Sequence, residues 1–253
     1  VKVLSFPVDK DGLIVKNLPE KGLIALHLSP THHYPTGVTM SAARRHAAIS
    51  WAHSTDTYII EDDYDSEIGA TAHPLASLKD LAPEKVIYMN TFSKSLFPSV
   101  RISYMVLPDL LMEKYKKELG FYSATVSVTE QSTLAAFIEG GFYERNIRRM
   151  RNFYKKYRQA FKEAFASSSL FKKAEIISPD SGTICIIKIK ADINDEKYKN
   201  ALINKGIHVS SVNDCCHHHE EKYDHCFIID YSVPLNGLKD FFETMYESIA
   251  TLP

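Results

Sequence analysis

The sequence predicts an α/β protein, a mostly parallel sheet with helices on both faces, followed by a smaller α+β unit. Three observations carry that expectation. Short runs rich in Ile and Val alternate with longer amphipathic stretches, the pattern of a sheet covered by helices. After Pro108 the periodicity becomes almost continuously helical. A Ser167-Ser168-Ser169 run then ends that helical region, and strands and helices alternate again beyond it.

Taken in order, the apolar run at 24–28 is read as a strand. Ser41 to His53 places Ala, Ile and Trp at helical spacing, and Thr39 or Ser41 can cap its start. Further strands are expected near 57–61, 85–90 and 101–106. Asp109–Leu119 and Val128–Glu139 read as helices, and Phe142 to Phe165 as one long helix. There Tyr143, Ile147, Met150, Tyr154, Tyr157 and Phe161 recur every three or four residues, which makes a core-facing stripe. Arg148, Arg149 and Arg151 read as that helix's solvated face rather than a nucleic-acid site. Strands near 174–177, 183–189 and 226–231, with helices near 194–204 and 237–250, make the small unit. The expected domains are 1–166 and 167–253, and no internal repeat is present.

With 253 residues, 45% of them hydrophobic and 24% charged, the chain can bury one large core or two modest ones. A net charge of −1 with both signs interspersed gives no footprint for nucleic acid or an acidic membrane. The longest apolar stretches, Tyr58-Ile59-Ile60 and Thr183 to Ile187, are broken by charge well before the ~18 residues a membrane span needs. Val1 to Pro7 lacks the basic region, apolar core and cleavage site of a secretory signal, and without a starting Met a fragment or processed chain is expected. Four cysteines, with Cys215, Cys216 and Cys226 crowded together, do not form a disulfide framework, so a reducing cytoplasm is the expected location.

Three segments lie where strands give way to loops, the usual place for ligand contacts in an open α/β sheet. His32-His33-Tyr34-Pro35-Thr36-Gly37 follows the first strand and reads as a turn on its Pro and Gly alone. Ile59-Ile60-Glu61-Asp62-Asp63-Tyr64-Asp65-Ser66-Glu67 is an apolar strand that runs into a block of carboxylates. Such a block suits a solvated loop, a hard cation, or an Asp that pairs with a protonated ring nitrogen. In the third, Tyr88 to Arg101, hydroxyls flank Lys94 on both sides and Arg101 follows seven residues later. Hydroxyls and a guanidinium together bind phosphate well, and a lysine beside them could form a Schiff base with an aldehyde cofactor. A lone loop lysine is otherwise a surface residue, so the combination carries the argument.

The strings SPTHHYPTG, EDDYDSE and NTFSKSLFPSVRISYMVLP together resemble the MocR group of bacterial regulators. In that group a winged-helix domain of the GntR type precedes an aminotransferase-like domain. The resemblance spans most of the chain from about Val3 onward and implies the core of a fold-type-I, pyridoxal-phosphate-dependent transferase-like large domain plus its small C-terminal domain. It implies that Lys94 carries pyridoxal phosphate, Asp62 pairs with the ring nitrogen and Tyr64 hydrogen-bonds the ring's phenolic oxygen. Thr91, Ser93 and Arg101 would hold the phosphate. Tyr34 stands in a turn where aminotransferases commonly have Asn and would also contact the cofactor. A homodimer is implied, with an amine or amino acid as effector or substrate, and DNA bound only through a winged helix that this chain does not contain.

The chain departs from the pattern in two ways. Aminotransferases of this kind clamp the substrate carboxylate with an Arg near the last strand of the small domain, yet no Arg follows Arg158, and Lys is a poor bidentate substitute. The front of the large domain, with residues that help cradle the phosphate and the aromatic that stacks on the cofactor, is also expected to be missing, so this chain alone is expected to bind the cofactor weakly or not at all unless a partner supplies that half. The leading expectation is therefore a regulator's effector domain, with a working aminotransferase or a ligand-free dimerising scaffold as alternatives. The loop Cys215-Cys216-His217-His218-His219, with His225-Cys226, has zinc-type ligands. Adjacent Cys and His cannot all face one ion, and no metal is assigned to them.

Overall fold

The computed structural model describes residues 2–69, 75–178 and 182–251. The chain forms two compact units, Val1–His33 with Val38–Arg151 and Tyr34–Gly37 with Asn152–Pro253.

The first unit opens with a short hairpin, β1 (Val8–Asp9) and β2 (Gly12–Leu13). Gly12 turns it at φ +97°, and a Cβ there would lie 2.9 Å from Met40 Cγ, so both the backbone and the close approach call for glycine. β3 (Ala25–Leu28) is followed by helix α1 (Ala42–Ser54), whose start is capped by the Ser41 side chain accepting from Arg44 N. α1 returns the chain to β4 (Tyr58–Asp62), and after α2 (Leu78–Leu81) comes β5 (Val86–Thr91). β3, β4 and β5 pair in parallel, as strands joined by crossovers must. The one-turn helix α3 (Phe92–Ser95) then leads to β6 (Ser103–Val106), which folds back antiparallel on β5 at the end of the order β3-β4-β5-β6.

The core of this unit lies on one face of the sheet, where Leu26, Leu28, Ile59 and Val86 meet Ala48 and Ala52 of α1 and Leu78 of α2. Small alanines let the helix approach the strands closely. Two charged residues are buried beside it. Arg45 donates to the carbonyls of Met40, Ala76 and Pro30, and Glu61 accepts from the backbone N–H groups of Leu78 and Lys79. Burial raises the Glu61 pKa above the usual carboxylate range despite those two bonds. Helices α4 (Asp109–Leu119) and α5 (Val128–Glu139) follow, and then α6 (Phe142–Ser167), within which the two units divide at 151/152.

In the second unit, β7 (Ala174–Ile176), β8 (Ile184–Ile189), β9 (Ser210–Ser211) and β10 (Cys226–Asp230) form an antiparallel sheet of order β7-β8-β10-β9. Helix α7 (Asp195–Asn204) stands between β8 and β9, and α8 (Leu238–Ala250) closes the unit. Tyr157, Phe161 and Phe165 of α6 pack with Ile187, Ile189, Phe227, Phe242 and Met245. The Phe161 and Phe242 rings meet edge to face, with centroids 4.9 Å apart. Ile186, Val212, Cys226 and Ile228 cluster separately, which is why β8 and β10 read as continuous apolar runs rather than alternating ones.

The architecture is the α/β sheet unit expected, with a small α+β unit after it in the chain. Every strand and long helix foreseen lies within a few residues of its expected place. The β1–β2 hairpin and β9 were not foreseen, because two-residue strands carry no periodicity. No helix among the described residues is long and apolar enough to cross a membrane.

Candidate ligand site at the Lys94 turn

β5 delivers the chain to a tight turn that fixes Lys94. Thr91 caps α3, its hydroxyl accepting from Ser93 N at 3.2 Å while lying 3.1 Å from Ser93 Oγ. The backbone N–H of Phe92 donates to the Ile102 carbonyl at 2.9 Å and ties the turn to the start of β6. From the opposite side, the first turns of α6 buttress α3. Tyr143 Oη donates within a bond that joins Glu67 and Ser95 Oγ, and Asn146 Nδ2 donates to the Ser95 carbonyl at 2.8 Å. Burial, and then the Glu67 carboxylate, raise the Tyr143 pKa and keep it a phenol.

Arg101 has a left-handed backbone, φ 49° and ψ 33°, a conformation that costs a residue with a Cβ roughly 1–2 kcal/mol. The turn brings Lys94 and Arg101 to one pocket of about 310 Å³, lined by Tyr64, Thr91, Ser93, Lys94, Arg101, Ile102 and Ser103. Two cationic groups and four hydroxyls face this space, and no carboxylate is among the lining residues. Such a donor set matches an anion with several acceptor oxygens, which a guanidinium and hydroxyls can satisfy together.

The acidic block resolves into three separate tasks. Asp62, at the end of β4, lies 3.4 Å from His27 Nε2 and does not line the pocket. The hydrogen bond to Asp62 raises the His27 pKa. Asp63 is buried and accepts from Ser66 Oγ at 2.6 Å and Tyr88 Oη at 2.7 Å. Burial first, and that carboxylate second, push the Tyr88 pKa far up, and Asn90 Nδ2 donates to the same Tyr88 oxygen. Asp65 is buried against His32, with Oδ1 2.6 Å from Nδ1. Among the described residues no group of three or more His, Cys, Asp or Glu could hold a metal ion. In the Cys/His loop, Cys216 instead donates to the Val212 carbonyl and His219 pairs with Asp224.

Of the residues singled out from the sequence, Tyr64, Thr91, Ser93, Lys94 and Arg101 share the pocket. Asp62 stands one strand away. Tyr34 follows the second unit, half exposed, and meets the Cys215 thiol there. The pocket also contains Ile102 and Ser103, which sequence reasoning passed over. Ser103 is two residues beyond Arg101 at the start of a strand, so the alternation of side chains was the available signal.

A mixed sheet that ends in a lysine-bearing turn beside an arginine agrees with the aminotransferase-like class that the resemblance implied. The chain belongs to the aminotransferase class I and II family, whose profile matches residues 5–221. It is 35% identical over 206 residues to the HTH-type transcriptional regulator YhdI of Bacillus subtilis, covering 81% of this chain and 44% of that protein. It is 29% identical over 213 residues to the probable rhizopine catabolism regulatory protein MocR of Rhizobium meliloti, covering 84% of this chain and 43% of that one. The chain therefore spans less than half the length of these relatives. Among solved structures, kynurenine aminotransferase of Pyrococcus horikoshii in complex with PMP superposes with a TM-score of 0.81 at 25% identity, over 98% of this chain and 63% of that one. The relatives named as regulators match over the aminotransferase-like region, as the MocR resemblance implied.

Proposed function

We propose that this chain is the pyridoxal-phosphate-binding, aminotransferase-like effector domain of a GntR/MocR-type transcriptional regulator, reading an amine or amino acid in the cytoplasm as a homodimer. DNA would be contacted through a winged helix outside this chain. The observation that carries the cofactor reading is the Lys94 pocket, in which an amine, a guanidinium and four hydroxyls converge with no carboxylate to neutralise them.

The donor set fits the cofactor. Bound pyridoxal phosphate supplies an aldehyde and an electron-withdrawing ring. Arg101, Thr91 and Ser93 would hold the phosphate, the guanidinium through its planar fork. Lys94 would supply the amine that holds the cofactor's aldehyde, and its Nζ would be the base that moves a proton in the pocket. Asp62 would hold a proton on the ring nitrogen, exchanging its His27 contact for that one. Tyr64 would turn its hydroxyl proton from the His32 carbonyl to the ring's phenolic oxygen.

The alternative is a working aminotransferase, favoured by the retained lysine. Against it, no Arg follows Arg158 to clamp a carboxylate. The test is titration of the full-length protein with pyridoxal phosphate, read by visible absorbance. The expected result is a new band that Lys94→Ala abolishes, and a band that survives that substitution would defeat the assignment. A transamination assay over a panel of amino donors separates sensor from enzyme, and sustained turnover would favour the enzyme.

A further inference from the structure

His32 is built into the structure in a way that neither the fold nor the cofactor contacts require. Its ring and the Asp65 side chain are each 2% exposed, and Nδ1 lies 2.6 Å from Asp65 Oδ1. The ring presses against the Gly69 backbone, where an added Cβ would sit 2.8 Å from Cε1 and 3.4 Å from Nε2. Nε2 is buried with no hydrogen-bond partner among the described residues. A buried polar atom with no partner among the described residues is costly. Something other than stability has to account for a histidine here.

The backbone of the same residue supplies an account. The His32 carbonyl accepts the Tyr64 hydroxyl at 2.9 Å, and Tyr64 lines the Lys94 pocket. Residues 64 and 65 are adjacent, so two bonds join them to His32, one to its carbonyl and one to its ring. The loop after β3 and the loop after β4 are thus clamped at two points, with the Gly69 backbone close against the ring. The bond to the clamped His32 carbonyl fixes where Tyr64 Oη stands, and its one proton would turn from that carbonyl to a ligand oxygen in the pocket.

We propose that His32 and Asp65 are positioning residues that orient the Tyr64 hydroxyl at the wall of the Lys94 pocket. The inference deepens the proposed function and rests on that reading for its ligand. Pyridoxal phosphate is titrated into wild-type protein, His32→Ala, His32→Asn, Tyr64→Phe and the His32→Ala/Tyr64→Phe double variant, with affinity and band position read together. Asn keeps a donor close to the place of Nδ1. His32→Ala is expected to weaken binding about tenfold and to move the band in the same direction as Tyr64→Phe, and the double variant to lose nothing further, since both act through one hydroxyl. His32→Asn should recover most of the affinity. Losses that multiply in the double variant, or an unmoved band, would overturn the clamp. If His32→Ala fails to fold, Asp65→Asn takes its place in the same comparison.

A wild-type protein with no Lys94-dependent band would sink the cofactor reading, and the clamp is then decided by urea unfolding of the ligand-free proteins. Coupling of about fivefold in the unfolding constant between residues 32 and 64 supports it, and additivity overturns it.

Discussion

The two units use their apolar residues in opposite ways. In the second, the stripe of α6 is driven into a closed aromatic core, where Phe161, Phe227 and Phe242 have no solvent exposure at all. In the first, the apolar core gathers on β3, β4, β5, α1 and α2, with Leu13, Leu18 and Met40 beside them. Among the described residues β6, α4 and α5 contain no buried residue, and Phe121, Tyr122 and Val128 are 75%, 66% and 78% exposed. The Lys94 pocket lies in the first unit and takes three of its lining residues from the segment that leads into β6. The ligand site therefore stands on the less buried part of the molecule, the part expected to open most readily.

The sharpest way to break that comparison is to compare the cost of losing an aromatic in each unit. Phe161→Ala should destabilise the second unit by about 3–5 kcal/mol, because both the transfer of the ring and the cavity left behind count against it. Phe121→Ala should change stability by no more than about 0.5 kcal/mol, as expected for an exposed side chain. Urea unfolding followed by tyrosine fluorescence and by circular dichroism reads both. Two transitions are expected, with Phe161→Ala moving the later one. A single transition shifted equally by both substitutions would show that the units do not differ in this way.

The second prediction stays inside the first unit. Arg101 is held in a left-handed conformation that glycine adopts freely. Arg101→Gly should leave the unit as stable as before or more stable by about 1 kcal/mol, after relief of strain and the entropy glycine adds to the unfolded chain are set against each other. Binding of pyridoxal phosphate should nevertheless fall by at least about tenfold as a charge-assisted partner is lost. Parallel losses of stability and affinity would instead make Arg101 a structural residue.

The contrast between the units also marks what the sequence could reveal. The long helix was legible because Tyr157 and Phe161 repeat at its period, and the strands because Ile and Val cluster in them. Lys94 and Arg101 were legible because hydroxyl residues flank Lys94 on both sides and Arg101 follows seven positions later. The sequence could not sort Asp62, Asp63 and Asp65 from one another. Their different tasks depend on His27, Tyr88 and His32, which come from other strands and loops, and only folding brings those partners near. Ser103 was hidden for a related reason, since a serine in a strand has no signature until the facing turn is known. Exposure of β6, α4 and α5 was equally invisible, because their apolar content matches that of buried elements.

The smallest effect expected concerns the rim of the site. His27 has its pKa raised chiefly by the hydrogen bond to Asp62, so the folded state holds the imidazole proton more tightly than the unfolded chain does. The stabilising contribution is then fully present below the ordinary histidine value of about 6.5 and is lost as pH rises through the raised folded value. The His27 side chain is 61% exposed, so solvent screens the pair and the effect on global stability should be slight. Nuclear magnetic resonance of the imidazole protons is the suitable probe. Asp62→Asn should bring the His27 titration back toward about 6.5, and bound pyridoxal phosphate should do the same if the ring nitrogen takes over the Asp62 carboxylate. A His27 titration that responds to Asp62→Asn but is indifferent to the cofactor would separate Asp62 from the ligand and leave Lys94, Arg101 and the hydroxyls as the working half of the site.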